Sequence, residues 1–94
     1  MNEFFDLLGK RWRAAAQQRG ANIAEPELDP KVAAEILELA RVAAHTKERR
    51  FAPLASYMAG IAADRLRMSK GADADDVASF IREVREELER DAPG

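Results

Sequence analysis

Cysteine is absent from this chain, and histidine occurs only once, as His45. Without cysteine the chain can form no disulfide, no thiolate metal site and no cysteine nucleophile. A single histidine also excludes a metal site built from several imidazoles. The serines lack the Gly-x-Ser-x-Gly context of an activated nucleophile. We therefore expect no catalytic residues, no metal and no cofactor, and we interpret the protein as non-enzymatic.

An excess of either charge is also missing. The 15 basic and 17 acidic residues leave a formal charge of −2, which argues against a general nucleic-acid-binding protein. The longest uncharged apolar run covers the 13 residues 51–63, whereas a membrane-spanning helix needs about 20. Residues 1–8 are acidic and lack the basic start and long apolar middle of a signal peptide. These features predict a soluble, cytoplasmic protein that binds neither nucleic acid nor membrane.

Residues that interrupt helices are scarce, with 5 glycines and 4 prolines in 94 residues. The rest of the chain is rich in alanine, glutamate, arginine and leucine, which are good helix formers. The length suits one small domain and leaves little room for a deep cavity. The composition therefore predicts a single all-α domain over residues 1–94.

Capping signals divide the chain into four helices. The signals are N-cap acceptors, prolines suited to the first helical position and glycines suited to the residue after the last turn. In chain order they are Asn2, Gly20, Asp29, Pro30, Pro53, Gly71 and Asp73. They predict helices over about 3–18, 30–46, 53–69 and 74–90, with a connector over 20–29. The short connections between the last three helices favour antiparallel neighbours.

The third predicted helix is apolar nearly all round. We call the side formed by Leu54, Tyr57, Met58 and Ile61 the large-residue face. A second side carries mostly small residues. A helix without a polar side is typically buried, so we predict a compact four-helix domain with a buried central third helix. Gly60, which costs helix propensity, indicates close approach by a neighbouring backbone. So small a chain would also gain from self-association.

The candidate binding residues lie where the second helix ends, and we call them the His45–Arg50 corner: Arg41, His45, Glu48, Arg49 and Arg50. His45 suits a proton shuttle or a ligand-binding group oriented by Glu48, but we favour a structural role at the helix C-terminus. The forked guanidinium groups suit a phosphate or a partner's carboxylate. The interpretation that we favour for these arginines is a solvated turn or ion pairing with Glu48 or Glu38.

Two other groups have structural interpretations that we favour. Asp73, Asp75 and Asp76 lack the glycine and glutamate spacing of a calcium loop, so we expect them to cap the fourth helix. The aromatic residues near the N-terminus, Phe4, Phe5 and Trp12, form either an exposed patch or part of the core, and we expect core packing.

Four segments carry a family resemblance: 36–45 (ILELARVAAH), 48–50 (ERR), 52–54 (APL) and 57–62 (YMAGIA). Across residues 29–64 the chain resembles a small bacterial domain family of unknown function. Members occur alone or as a C-terminal extension of molybdenum-cofactor guanylyltransferases. The resemblance implies an accessory module near guanylyl transfer onto molybdopterin, with such a transferase or a molybdoenzyme as partner. It supplies no catalytic residues, and the transferase's glycine-rich nucleotide-binding loop is absent here.

These observations predict a non-catalytic interaction or accessory module. It would bind a protein partner or a second copy of itself through an apolar helix face and the His45–Arg50 corner. The alternative is a domain that binds a small anion, such as a phosphate, nucleotide or pterin, at the same corner.

Overall fold

A computed structural model of the chain describes residues 2–91, and over this range it contains four helices and no strand. They are α1 (Glu3–Gln18), α2 (Pro30–Thr46), α3 (Phe51–Lys70) and α4 (Ala74–Asp91). The all-α prediction is confirmed, and the predicted bounds of α1 and α2 agree with the structure. None of these helices is both long enough and apolar enough to cross a membrane. Residues 1 and 92–94 lie outside the described range.

The start of α3 differs from the prediction. The helix begins at Phe51, which places Pro53 at its third position rather than its first. Proline is tolerated there because the first four backbone N–H groups of a helix have no partner within the helix. The backbone N–H of Phe51 donates to the Glu48 carbonyl at 3.0 Å, so a tight turn leads directly into the helix.

The chain divides into two compact units, Met1–Pro30 and Lys31–Gly94. In the first, α1 begins at Asn2, whose side-chain oxygen accepts from the Phe5 N–H at 3.1 Å. The helix ends at Gly20, which has a φ of 79°. The next N–H, of Ala21, donates back to the Ala16 carbonyl at 2.9 Å, which is the Schellman arrangement. Both predicted ends of α1 are confirmed.

Gly9 is where the connector passes closest to α1. It is the buried residue of this helix, and a Cβ added to it would lie 2.5 Å from the Pro26 carbonyl oxygen. Glu25, beside Pro26, lies near Lys10 at 3.6 Å and Arg13 at 4.0 Å. A glycine is therefore required at position 9 to let the connector lie against the helix.

The aromatic residues of the first unit are exposed. Phe4 and Phe5 contact each other edge to face, with ring centroids 5.0 Å apart, and these residues and Trp12 are solvent-accessible. The prediction that they pack into a core is wrong. The more enclosed residues of α1 are Leu8, Gly9, Ala15 and Ala16.

In the second unit, α2, α3 and α4 share one core built from Leu39, Ala63, Val77 and Ile81. Ion pairs join α2 to α4 in the same order along both helices: Lys31 to Asp75, Glu35 to Arg82, and Arg41 to Glu89. The two helices therefore run in the same direction. The short connections on either side of α3 make it antiparallel to both, as the sequence predicts.

The predicted ends on either side of the α3–α4 connection are confirmed. Gly71 ends α3 with a φ of 63°. The Asp76 N–H donates to the Asp73 side chain at 2.8 Å, and the Asp73 N–H donates to the Asp76 side chain at 3.2 Å. This reciprocal pair is a capping box with aspartate in place of glutamate. The acidic residues cap α4, as predicted.

The third helix differs from the prediction of a buried central helix. Ala63 is its one residue, among those described, that is buried. Its small residues, including Ala55 and Ala59, pack against the core, whereas Leu54, Tyr57 and Met58 are exposed. Small side chains let the backbones of α3 and α4 approach, with Cα atoms within 8 Å, so the small side faces inward. The space over Gly60 holds no neighbouring atom within 4 Å, and the expected close approach is not found.

Candidate functional site

The large-residue face of α3 is an exposed apolar surface of the second unit. Tyr57 is 72% exposed and Met58 is 70% exposed, and Leu54 is similarly accessible. Ile61, the fourth member of the face, is half-buried. No charged side chain occurs between residues 51 and 63. Large apolar and aromatic residues grouped on one exposed face are typical of an interaction site rather than of a solvated helix.

Beside this face, α3 and α4 enclose an apolar groove, the α3–α4 groove, with a volume of about 430 Å³. Met58 forms one side of the groove, and Phe80 and Val84 of α4 form the other. The lining is entirely apolar and consists of Leu39, Ala55, Met58, Ala59, Ala62, Phe80, Ile81, Val84 and Leu88. A groove with no polar lining group suits an apolar side chain and offers nothing that would orient a reacting substrate.

The groove continues along α3 toward its C-terminal half. A second hollow shares Met58, Ala62 and Phe80 with it and extends to Ile61 and Leu66. Arg65 lies at its edge and is the charged residue of its lining. The combined surface therefore has an apolar centre and a polar border, which is the usual arrangement of a protein–protein interface.

A polar network on other faces of α2 and α4 holds the two helices in register. The nearly buried Glu35 accepts from Arg82 Nε at 2.9 Å and from an Arg85 terminal nitrogen at 3.2 Å. Arg85 also donates to Glu89 at 2.7 Å. Burial raises the pKa of the Glu35 carboxyl, but the hydrogen bonds and charges of the two arginines outweigh it and hold the pKa below its ordinary value. The carboxylate is therefore kept ionised and serves to position the helices.

The residues of the His45–Arg50 corner are already paired in part. Arg41 donates to Glu38 at 2.9 Å and lies 3.8 Å from Glu89, and the Glu38 contact raises the pKa of Arg41. Arg50 donates to Glu48 at 3.0 Å. These contacts agree with the ion-pair interpretation. Among the predicted site residues, a described contact joins Glu48 to Arg50.

His45 and Arg49 complete the corner. His45 lies in the last turn of α2 and is exposed. Arg49 lies in the turn before α3 and is exposed, and it forms no ion pair with a described residue. Arg49 is therefore the cation of the corner that is most available to a partner, and its binding role stays a prediction.

The sequence analysis did not predict the Glu35–Arg85 contact, nor that Phe80 and Val84 of α4 line a groove. Glu35 lies three residues after Val32 and four before Leu39, and Arg85 lies four residues after Ile81 and three before Leu88. Each charge therefore falls on the apolar side of its own helix. A buried ion pair could have been predicted from these two opposite charges, because each lies on the apolar side of its helix.

Comparison with known proteins identifies a family without assigning an activity. Residues 8–93 match the family described as Domain of unknown function (DUF6457). No curated protein and no solved structure matches the chain. The match covers most of the sequence, including the large-residue face, the α3–α4 groove and the His45–Arg50 corner.

Proposed function

The chain belongs to the family described as Domain of unknown function (DUF6457), and we propose that it is a non-catalytic helical interaction module. One observation carries this proposal: the large-residue face of α3 is exposed although no charge interrupts it. Contact of the exposed Leu54, Tyr57 and Met58 side chains with water is unfavourable by about 25 cal/mol per Å² of apolar surface. Covering them with another protein surface recovers that free energy.

The composition of this surface supports protein binding over binding of a small polar ligand. Tyrosine and methionine are enriched at interface centres, and charged residues are depleted there. The adjoining groove offers a pocket for an apolar side chain of the partner, because its lining is apolar throughout. Such anchor-and-pocket contacts supply most of the binding energy of interfaces.

Photo-crosslinking from a single position tests the proposal. Met58 is replaced by the photoreactive residue p-benzoylphenylalanine, and Leu37 is replaced in a second variant. Both side chains are 70% exposed, and Leu37 lies on α2 outside the groove lining. Irradiation of cells that make the protein should give a discrete adduct from position 58 and none from position 37. Adding Tyr57→Lys should abolish the adduct, and equal labelling from both positions would refute the proposal.

For the partner class we propose a molybdenum-cofactor guanylyltransferase or a molybdoenzyme, reached through the His45–Arg50 corner. The resemblance of residues 29–64 supports this class. The available cation Arg49 suits a carboxylate on such a partner. Arg49→Ala combined with Arg50→Ala should weaken binding of the purified partner without unfolding the chain, whereas Met58→Lys should not. If the wild-type chain binds neither enzyme, this partner class is wrong.

Anion binding at the same corner is the alternative function. It has less support, because Arg41 and Arg50 already contact Glu38 and Glu48, which compete with an incoming anion. Calorimetric titration with inorganic phosphate and with GTP tests it. Saturable heat that is lost in Arg49→Ala would favour anion binding, and absence of heat would count against it.

A further inference from the structure

We propose that a second copy of this chain covers the large-residue face, so that two α3 helices pack against each other across a two-fold axis. This inference rests on the proposed function, because it names the partner of the same surface. Four features of the chain support it: the extent of the exposed apolar surface, its lack of charge, the order of its residues along α3 and the small size of the core.

The exposed apolar area is large enough for a dimer. The face and its border on α4 and at the start of α3 contribute Phe51, Leu54, Tyr57, Met58 and Val84, all exposed. With roughly 150–250 Å² for a large aromatic side chain and less for the others, these exposed fractions give an apolar patch on the order of 600 Å². A stable interface covers about 800 Å² on each partner, of which somewhat more than half is apolar. A patch of this size on both copies satisfies that requirement.

Charge does not oppose pairing of two identical surfaces. Residues 51–63 carry no charged side chain, so no charge at the centre of the contact has to lose its hydration. The formal charge of −2 per chain also keeps repulsion between copies small. Both conditions matter for a two-fold contact, because the same surface patch of each copy forms the interface. Any charge in the patch would therefore be present twice in the interface.

The order of residues along the face fits an antiparallel contact centred near Met58. Leu54 lies one helical turn before Met58, and Ile61 lies one turn after it. A two-fold axis beside Met58 places Leu54 of one copy against Ile61 of the second. Gly60 adds space beside Tyr57, because no atom of the chain lies within 4 Å of its missing Cβ. The backbone of the second copy can therefore approach α3 closely at Gly60.

The core of a single copy is small. Val77 is the one large side chain, among residues 2–91, that is completely enclosed. Small proteins commonly gain stability by oligomerisation when their own core is limited. Dimerisation through α3 would convert its exposed large residues into core.

Sedimentation equilibrium over a range of protein concentrations tests the inference. The wild-type chain should approach twice its 10.4 kDa mass as concentration rises. Met58→Lys should raise the dissociation constant by about 30-fold or more, as loss of an interface centre does. Leu37→Lys, which alters a side chain of equal exposure on α2, should leave the dissociation constant unchanged. Circular dichroism checks that each variant is folded, and Tyr57→Lys replaces Met58→Lys if that variant is not.

The outcomes separate this inference from the proposed function. A wild-type chain that remains at 10.4 kDa up to about 1 mM would overturn the homodimer. Equal dissociation constants for the Met58 and Leu37 variants would also overturn it, because the contact would then lie elsewhere. If the chain is monomeric but position 58 crosslinks to a different protein in cells, the inference fails and the proposed function stands.

Discussion

At Glu35 the chain places a carboxylate on the apolar side of an amphipathic helix. The residue is 9% exposed, and two arginines of α4 supply hydrogen bonds that replace water. A buried charge is tolerated only when such partners are present. The contact also selects a register, since a shift of α4 along α2 would leave Glu35 without its arginines.

Glu35→Gln should lower the free energy of unfolding at neutral pH by about 1.5–3 kcal/mol, the range for hydrogen bonds to a charged group. The folded-state pKa of Glu35 lies below its ordinary value of 4.5, so the unfolded chain takes up the proton first as the pH falls. The stabilisation is therefore complete above about pH 5 and is lost as the pH falls through the folded-state pKa. Urea denaturation of both proteins between neutral and acidic pH measures the difference.

Glu38→Gln provides the matched control. Its pKa is also lowered, by the hydrogen bond from Arg41, but the pair is exposed and water screens it. The wild-type and Glu38→Gln curves should stay close at every pH. A Glu35→Gln curve that parallels the wild type down to low pH would show that the buried contact contributes no pH dependence.

Substitution by alanine should change stability in opposite directions at two helical glycines, Gly9 and Gly60. Gly9→Ala places a Cβ 2.5 Å from the Pro26 carbonyl oxygen and should destabilise the first unit by about 1–3 kcal/mol, as overpacking does. Gly60→Ala meets open space and should stabilise α3 by about 0.5–1 kcal/mol. Hydrogen exchange of the α1 and α3 amides, measured on dilute protein, reports each effect. Stabilisation by Gly9→Ala would contradict the close approach at Pro26.

At the scale of the helix, capping residues and spacing predicted most boundaries, because these signals act within a few residues. Asn2, Gly20, Pro30, Gly71 and Asp73 all lie where the sequence placed them. The orientation of α3 was not predictable in this way. Over residues 51–63 both sides of α3 are apolar and uncharged, so the sequence pattern does not show which side is buried. Which side faces inward depends on how closely α4 approaches. That distance is set by the small alanines and is a property of the packed helices.

Asp73→Ala should cost about 1 kcal/mol of unfolding free energy, because α4 loses the side chain that accepts from the Asp76 N–H at 2.8 Å. Asp73→Asn should retain most of the stability, since its amide oxygen can accept the same hydrogen bond. Chemical denaturation of the two variants measures both values. Equal losses in the two variants would assign the effect to charge at the helix N-terminus rather than to the cap.

At the scale of the whole molecule, the sequence predicted an all-α protein, a gain from self-association and binding through an apolar helix face, but not which residues form that face. The candidate residues of the His45–Arg50 corner were chosen by type, and two of its arginines are occupied by neighbouring carboxylates. The large-residue face was recognised as apolar but was expected inside. Since the pattern of a helix buried in its own chain is the same as that of a helix buried in a dimer, sequence alone does not distinguish them.

The most direct test of the α3 face compares oxidation of two methionines on the same helix. Met58 is 70% exposed and Met68 is 88% exposed, so mild peroxide should oxidise both at comparable rates in the dilute chain. As concentration rises, Met58 should become several-fold slower while Met68 does not, because the second copy covers Met58. A ratio of the two rates that is independent of concentration would contradict coverage of the face by self-association. Slow oxidation of Met58 even at high dilution would contradict its exposure in the single chain.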